Sequence, residues 1–211
     1  MKHPINLHEK PLETTEDLAG FAASYKRAGG CSLALDSDLL ERGDVRGFYQ
    51  SDRLVGGYIV KNELPFQAFG DMKDADIGAV LDSGSRKPPY ELTCVWMVPE
   101  SRRTVTGTAM WLLVVRAILA RPRQRVVISA RSKSLRDFYL DMGFTLRYTG
   151  EQETTAGAPS VKYILTLDSI SAFARASVRV SSTRMASGAR KPARKLLRGS
   201  SFGVVSNLLA A

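Results

Sequence analysis

The stretch from Tyr90 to Gly107, with the apolar run behind it, restricts the fold of this chain more than any other segment. Tyr90 to Val98 is rich in β-branched and aromatic residues, and Pro99 offers no N–H to a ladder, so a strand is predicted to end there. Glu100 to Thr106 is a basic, hydroxyl-bearing loop. From Gly107 to Arg121 almost every helical face is apolar, which predicts a helix buried against a sheet. A helix begins with N–H groups that lack partners and with the positive end of its dipole. A strand, a cationic turn carrying glycine and a helix start therefore predict an anion site for a phosphate or pyrophosphate.

Around this segment the chain reads as mixed α/β. Thr14 to Arg27 has a hydroxyl cap, acids in its first turn and Leu18, Phe21, Ala22 and Tyr25 on one face, and Gly29-Gly30 stops it. Asp36 to Arg42 predicts a second short helix, and Arg46 to Gln50 with Leu54 to Lys61 a β-hairpin. Residues 63–89, broken by Pro65, Gly70, Gly78, Gly84, Pro88 and Pro89, give only a turn or two of helix at Ala75 to Leu81, which suggests a functional loop or lid. Arg125 to Ser129 is a short buried strand, and Leu135, Phe138, Tyr139 and Met142 lie at helical spacing before Gly143. Phe144 to Thr149 and Val161 to Asp168 predict two closing strands. One domain over residues 1–168 results, with a mostly antiparallel sheet flanked by helices and a separate tail over 169–211.

The formal charge of +9 suggests nucleic acid until it is located along the chain. Eight of the 30 basic residues and none of the 21 acidic ones lie beyond Asp168, so the domain is nearly neutral and the basicity belongs to the tail. Its only aromatic residues are Phe173 and Phe202, which argues against base stacking. Basic amphipathic pieces in the tail could meet an anionic membrane surface or an acidic protein, or stay disordered alone. Cys31 and Cys94 stand far apart, and the two histidines, His3 and His8, sit at the N-terminus. Neither a disulfide framework nor a metal site is expected, and a reducing, cytoplasmic setting fits.

Two pieces in the right order resemble the GNAT superfamily of N-acyltransferases: the strand, Pro99, loop and helix, and Phe138-Tyr139 followed by Gly143-Phe144. The resemblance covers roughly Arg46 to Asp168. It implies the GNAT fold and transfer of an acyl group, most simply acetyl, from acyl-coenzyme A to an amine of a small molecule or peptide. In one register the family's pyrophosphate motif falls on Arg102, Arg103, Thr104, Val105, Thr106 and Gly107, with Val105 where glycine is usual. In the other it runs from Thr104 to Ala109. The first keeps the usual spacing from the proline into the helix, with Thr108 next along it.

The same resemblance implies roles for individual residues. Backbone N–H groups of Trp96, Met97 and Val98 would hold the oxyanion, Tyr139 would protonate the departing thiolate, and Glu91 would act as general base from a strand facing a cleft. Ser132 would touch the pantetheine arm. Cys94, with no histidine near it in sequence, reads as core. Some relatives that make acyl-amino acids take their thioester from an acyl carrier protein, an acidic partner that would suit the tail. A GNAT-fold binding module without activity is the rival from another class. Sheet edges in such folds often pair, so a homodimer is a further expectation.

Overall fold

A computed structural model describes residues 6–30, 32–34, 38–70, 72–82, 86–102, 104–153, 159–167 and 173. The chain runs β1 (Leu7–Pro11), α1 (Thr15–Arg27), α2 (Asp38–Arg42), β2 (Asp44–Gln50), β3 (Arg53–Lys61), a 3-10 turn (Gln67–Phe69), α3 (Asp74–Leu81), β4 (Pro89–Met97), a 3-10 turn (Pro99–Ser101), α4 (Val105–Leu119), β5 (Arg125–Ala130), α5 (Lys133–Asp141), β6 (Thr145–Glu153) and β7 (Pro159–Leu167). The strands form one seven-stranded sheet in the order β1-β2-β3-β4-β5-β7-β6. Only β4 and β5 run parallel. Their connection is α4, the helical crossover that a parallel pair requires.

Each layer follows from local chemistry. Helix α1 begins at Thr14, whose Oγ1 accepts the N–H of Asp17 at 3.1 Å, and ends beyond Ala28 at Gly29, which takes a positive φ of 100°. It buries Phe21, Ala22 and Tyr25 against Ile59 and Trp96, with Leu39 and Leu40 of α2 in the same layer. On the opposite face α4 and α5 bury Met110, Trp111, Val114, Leu135, Phe138 and Tyr139 on Tyr58, Leu92, Val126 and Leu165. Among the described residues, no helix is long and apolar enough to cross a membrane.

Within residues 63–89 the helix expected at Ala75 to Leu81 is present as α3, and the segment also packs on the sheet. Phe66, Ala68, Phe69 and Val80 pack on Val127 and Ile164 and extend the α1 layer across β5 and β7. Buried Arg125 supports α3 from below, donating to the carbonyls of Val80 (3.2 Å) and Leu81 (2.7 Å), where a helix has unmet acceptors and a negative dipole end. Phe173, the one residue described beyond 167, is fully buried and meets the Phe144 ring edge-on at 5.7 Å, so the core extends past the expected boundary at residue 168. The remaining tail lies outside the described residues.

Candidate active site

Strands β4 and β5 pair only through Pro89–Arg125, Tyr90–Val126 and Glu91–Val127. Past Glu91 the two strands separate, leaving one edge of each without the other. On its other edge β4 stays with β3, but the register slips: Thr93 faces Ile59 while Trp96 faces Gly57. Three steps on β4 thus oppose two on β3, a bulge, and Cys94 carries it with φ 51°. A bulge beside a split bends the strand away from its neighbour and turns its peptide groups.

The backbone at the end of β4 can be followed donor by donor. Val98 N–H donates to Val55 O at 2.8 Å, so this expected oxyanion donor is already taken. Strand alternation sets Trp96 toward β3 as well and turns Met97 to the split. The Met97 carbonyl on that side accepts Arg102 Nε at 3.3 Å. Of the three expected donors, Met97 N–H is the one that faces the gap. The Trp96 ring packs edge-on against Phe21 at 5.7 Å, on the α1 face.

The loop beyond is rigidly built. Pro99–Ser101 forms its 3-10 turn, Thr104 Oγ1 caps α4 by accepting Gly107 N–H at 3.3 Å, and Thr108 N–H returns to Thr104 O at 3.2 Å. Val105 and Thr106 N–H groups, in the first turn of α4, have no partner among the described residues. A side chain on Gly107 would meet Ser101 O at 2.3 Å, so this position requires glycine. Val105 does not: it lies in the helix with its side chain 61% exposed, and the φ values show no left-handed conformation for it. The valine that departs from the family motif therefore costs the loop nothing in backbone strain. A pocket of about 490 Å³ opens beside these amides, between Ser101, Thr104 and Thr106 on one wall and Ser51 and Arg53 of the β2–β3 turn on the other.

Arg102 departs from its expected role. Besides Met97 O, its guanidinium donates to Ala28 O at 2.7 Å, tying the loop to the end of α1. It fixes the loop from behind. Arg103 lies outside the described residues.

Glu91 departs further. It is fully buried, not facing a cleft, with Oε2 accepting Gln67 N–H at 2.8 Å and Oε1 accepting Ala68 N–H at 2.7 Å. Burial pushes its pKa up, against the opposing pull of those two N–H groups and of Lys61 and Lys162. A carboxylate engaged at both oxygens by main chain is a clamp on the 67–69 turn. Ser132 likewise spends its hydroxyl locally, capping α5 by accepting Leu135 N–H at 3.2 Å.

Tyr139 stands on α5, in the same core as Met97 and Met110, its ring 5.3 Å from Phe144 and 5.6 Å from Phe138. Gly143, at φ 88°, ends α5, and Phe144 N–H returns to Tyr139 O at 3.0 Å, which explains the Tyr-to-Gly-Phe spacing read in the sequence. Burial raises the phenol pKa, so it remains a proton donor throughout the neutral range.

No protein-family model and no curated protein matches the sequence. Solved structures do match. FeeM, an N-acyl amino acid synthase from uncultured soil microbes, is 16% identical, with a TM-score of 0.55 over 75% of this chain and 90% of that one. Arabidopsis thaliana Naa50, in complex with the bisubstrate analogue CoA-Ac-MVNAL, is 12% identical, with a TM-score of 0.56 over 78% of this chain and 100% of that one. The ribosomal-protein-S18-alanine N-acetyltransferase of Escherichia coli is 16% identical, with a TM-score of 0.53 over 76% and 92%. This chain has the GNAT fold. The parted β4 and β5, the bulge at Cys94 and the start of α4 follow one another along the chain, and the sequence marked the start of α4 but not the bulge. Sequence reading missed Gln67, whose side chain reaches the bulge, because no periodicity marks a single exposed residue in a proline-rich stretch.

Proposed function

We propose that this GNAT-fold chain transfers an acyl group, most simply acetyl, from a coenzyme A thioester to an amine. The observation that carries the reading is the joint placement of donors without a partner among the described residues: Met97 N–H on the open edge of β4, and Val105 and Thr106 N–H at the start of α4. The α4 amides suit a pyrophosphate, with Arg103 and Thr108 as further candidate contacts. Met97 N–H suits the oxygen of a tetrahedral intermediate. The pantetheine arm would pass between β4 and β5, near Ser132.

In the step itself the amine nitrogen bonds to the thioester carbon, the carbon–sulfur bond breaks, the sulfur leaves as thiolate, and the nitrogen gives up a proton. Tyr139 meets the thiolate as a hydrogen-bond and proton donor; burial that raises the phenol pKa raises that of a thiolate in the same core. Glu91 serves this site as a positioning residue, since its oxygens hold the 67–69 turn; the amine proton leaves to water at the open mouth of the split.

A thioester panel tests the reading. Acetyl-coenzyme A should bind by isothermal titration and be consumed in the presence of amines. Absence of binding heat would favour a GNAT-fold module without activity. Eight tail cations with no acid among them support a second donor, an acyl group on an acidic carrier protein. Turnover of carrier-bound acyl groups, lost on deletion of residues 174–211, would establish that donor; turnover of acetyl-coenzyme A alone would exclude it. The tail could instead rest on an anionic membrane, which liposome flotation reads directly.

A further inference from the structure

Gln67 belongs to the 3-10 turn that packs against both β4 and β5 where they part, on the face opposite α4 and α5. Its neighbours Phe66, Ala68 and Phe69 are buried, while Gln67 is exposed. The turn is clamped from beneath by Glu91, and by Lys61, whose Nζ donates to Pro65 O at 2.7 Å. The Gln67 side chain is itself directed: Oε1 accepts Thr93 Oγ1 at 3.1 Å and lies 3.9 Å from Cys94 Sγ, against the bulge. With its oxygen anchored, the amide presents Nε2, whose two N–H groups have no partner among the described residues.

The position matters because the split has two mouths. Tyr139 stands on the α5 side, where a departing sulfur would meet its proton donor. An amine adding to the same carbonyl has the other face to use, and Gln67 lines it. A neutral N–H donor there pairs with an oxygen and offers nothing to a second ammonium group. We propose that Gln67 is a specificity-determining residue, which hydrogen-bonds through Nε2 a carbonyl or carboxylate oxygen one carbon beyond the carbon that bears the acceptor's amine. Its acceptors are α-amino carbonyl compounds, whether a free amino acid or the N-terminus of a peptide. This rests on the acyl-transfer reading and adds the acceptor class to it.

Three acceptors of one shape test it: alanine, alaninamide and isopropylamine, the last without the oxygen. The full-length protein should acetylate at least one of the first two about 10-fold or more better, in kcat/KM, than isopropylamine. Preference for alanine identifies free amino acids, and preference for alaninamide identifies peptide ends. Gln67→Ala should bring all three to the isopropylamine level by raising acceptor KM, with kcat and donor affinity kept. Because the turn is held through its main chain, this variant keeps the fold; Thr93→Val, which frees the Gln67 oxygen, should lose part of the same preference. Independently of turnover, the Gln67 side-chain amide resonances, assigned by their loss in Gln67→Ala, should shift with the preferred acceptor and not with isopropylamine. Unmoved resonances, or a Gln67→Ala enzyme that still discriminates, overturn the proposal. Shifted resonances without turnover of any amine would uphold the subsite and sink acyl transfer instead.

Discussion

Lys61 and Glu91 are partners across the β3–β4 ladder, and both reach the same turn. Lys61 takes the Pro65 carbonyl and also pairs with Asp38 of α2, while Glu91 takes the N–H groups of Gln67 and Ala68. Each is buried, so their polar ends are met by partners inside the protein rather than by water. One cross-strand pair thus fastens α2 and the 67–69 turn to the strand that carries the bulge.

Glu91→Gln should report on this clamp through pH. Because burial raises its pKa above the ordinary 4.5, the folded protein holds that proton more tightly than the unfolded chain does. The stability Glu91 contributes is therefore complete below about pH 4.5 and is lost as pH rises through the raised value. The variant should flatten that slope in urea unfolding between pH 4 and 8. At neutral pH it should also cost about 1–3 kcal/mol, since its –NH2 would face a backbone N–H. A wild-type stability that climbs with pH over this range would contradict the assignment.

Arg102→Ala should loosen the loop from α1. Loss of the contacts to Met97 O and Ala28 O should cost about 1–2 kcal/mol of stability and weaken donor binding. The donor effect should depend little on salt, because the guanidinium holds backbone and not phosphate. Steep salt dependence in titrations of wild type, absent in the variant, would return Arg102 to the phosphate.

Tyr139→Phe keeps the ring packing on Phe138 and Phe144 and removes only the hydroxyl. Turnover should fall about 10²-fold with donor affinity and melting temperature nearly unchanged. Stopped-time assays with acetyl-coenzyme A decide it, and unchanged kcat would remove Tyr139 from the chemistry.

Phe173→Ala should open a cavity beside Phe144 and cost about 3–5 kcal/mol. Since Phe144 touches Tyr139, activity should fall with it. Thermal unfolding of a chain ending at residue 168 gives the same answer, and a melting temperature equal to that of the full chain would show the contact to be idle.

The elements legible in the sequence were those whose signal is local. Periodicity marked α1, α4 and α5, and Pro99 and Gly143 marked where β4 and α5 stop. The candidate site was legible as far as its residues were tied to those elements: Gly107 lies in the first turn of α4 and Tyr139 on α5, the helices that the spacing predicts for them. What the sequence hid depends on partners distant along the chain. Whether Arg102 faces a phosphate or the end of α1 is decided by Ala28, 74 residues away. Whether Glu91 faces a cleft is decided by Gln67 and Ala68, in a stretch that its prolines and glycines marked as a loop or lid. Cys94 gave no hint of a left-handed φ, which is rare in any residue with a Cβ.

The last strand among the described residues, β7, is not at the margin of the sheet but between β5 and β6, which were both made before it. Until synthesis has passed residue 167, the strands on either side of α5 in sequence, β5 and β6, lack the strand that joins them. A growing polypeptide can therefore assemble the β1-to-β5 half early, while the Tyr139 half waits for the final hairpin to slide home. The core around Tyr139 would then be completed only after β7 has been made.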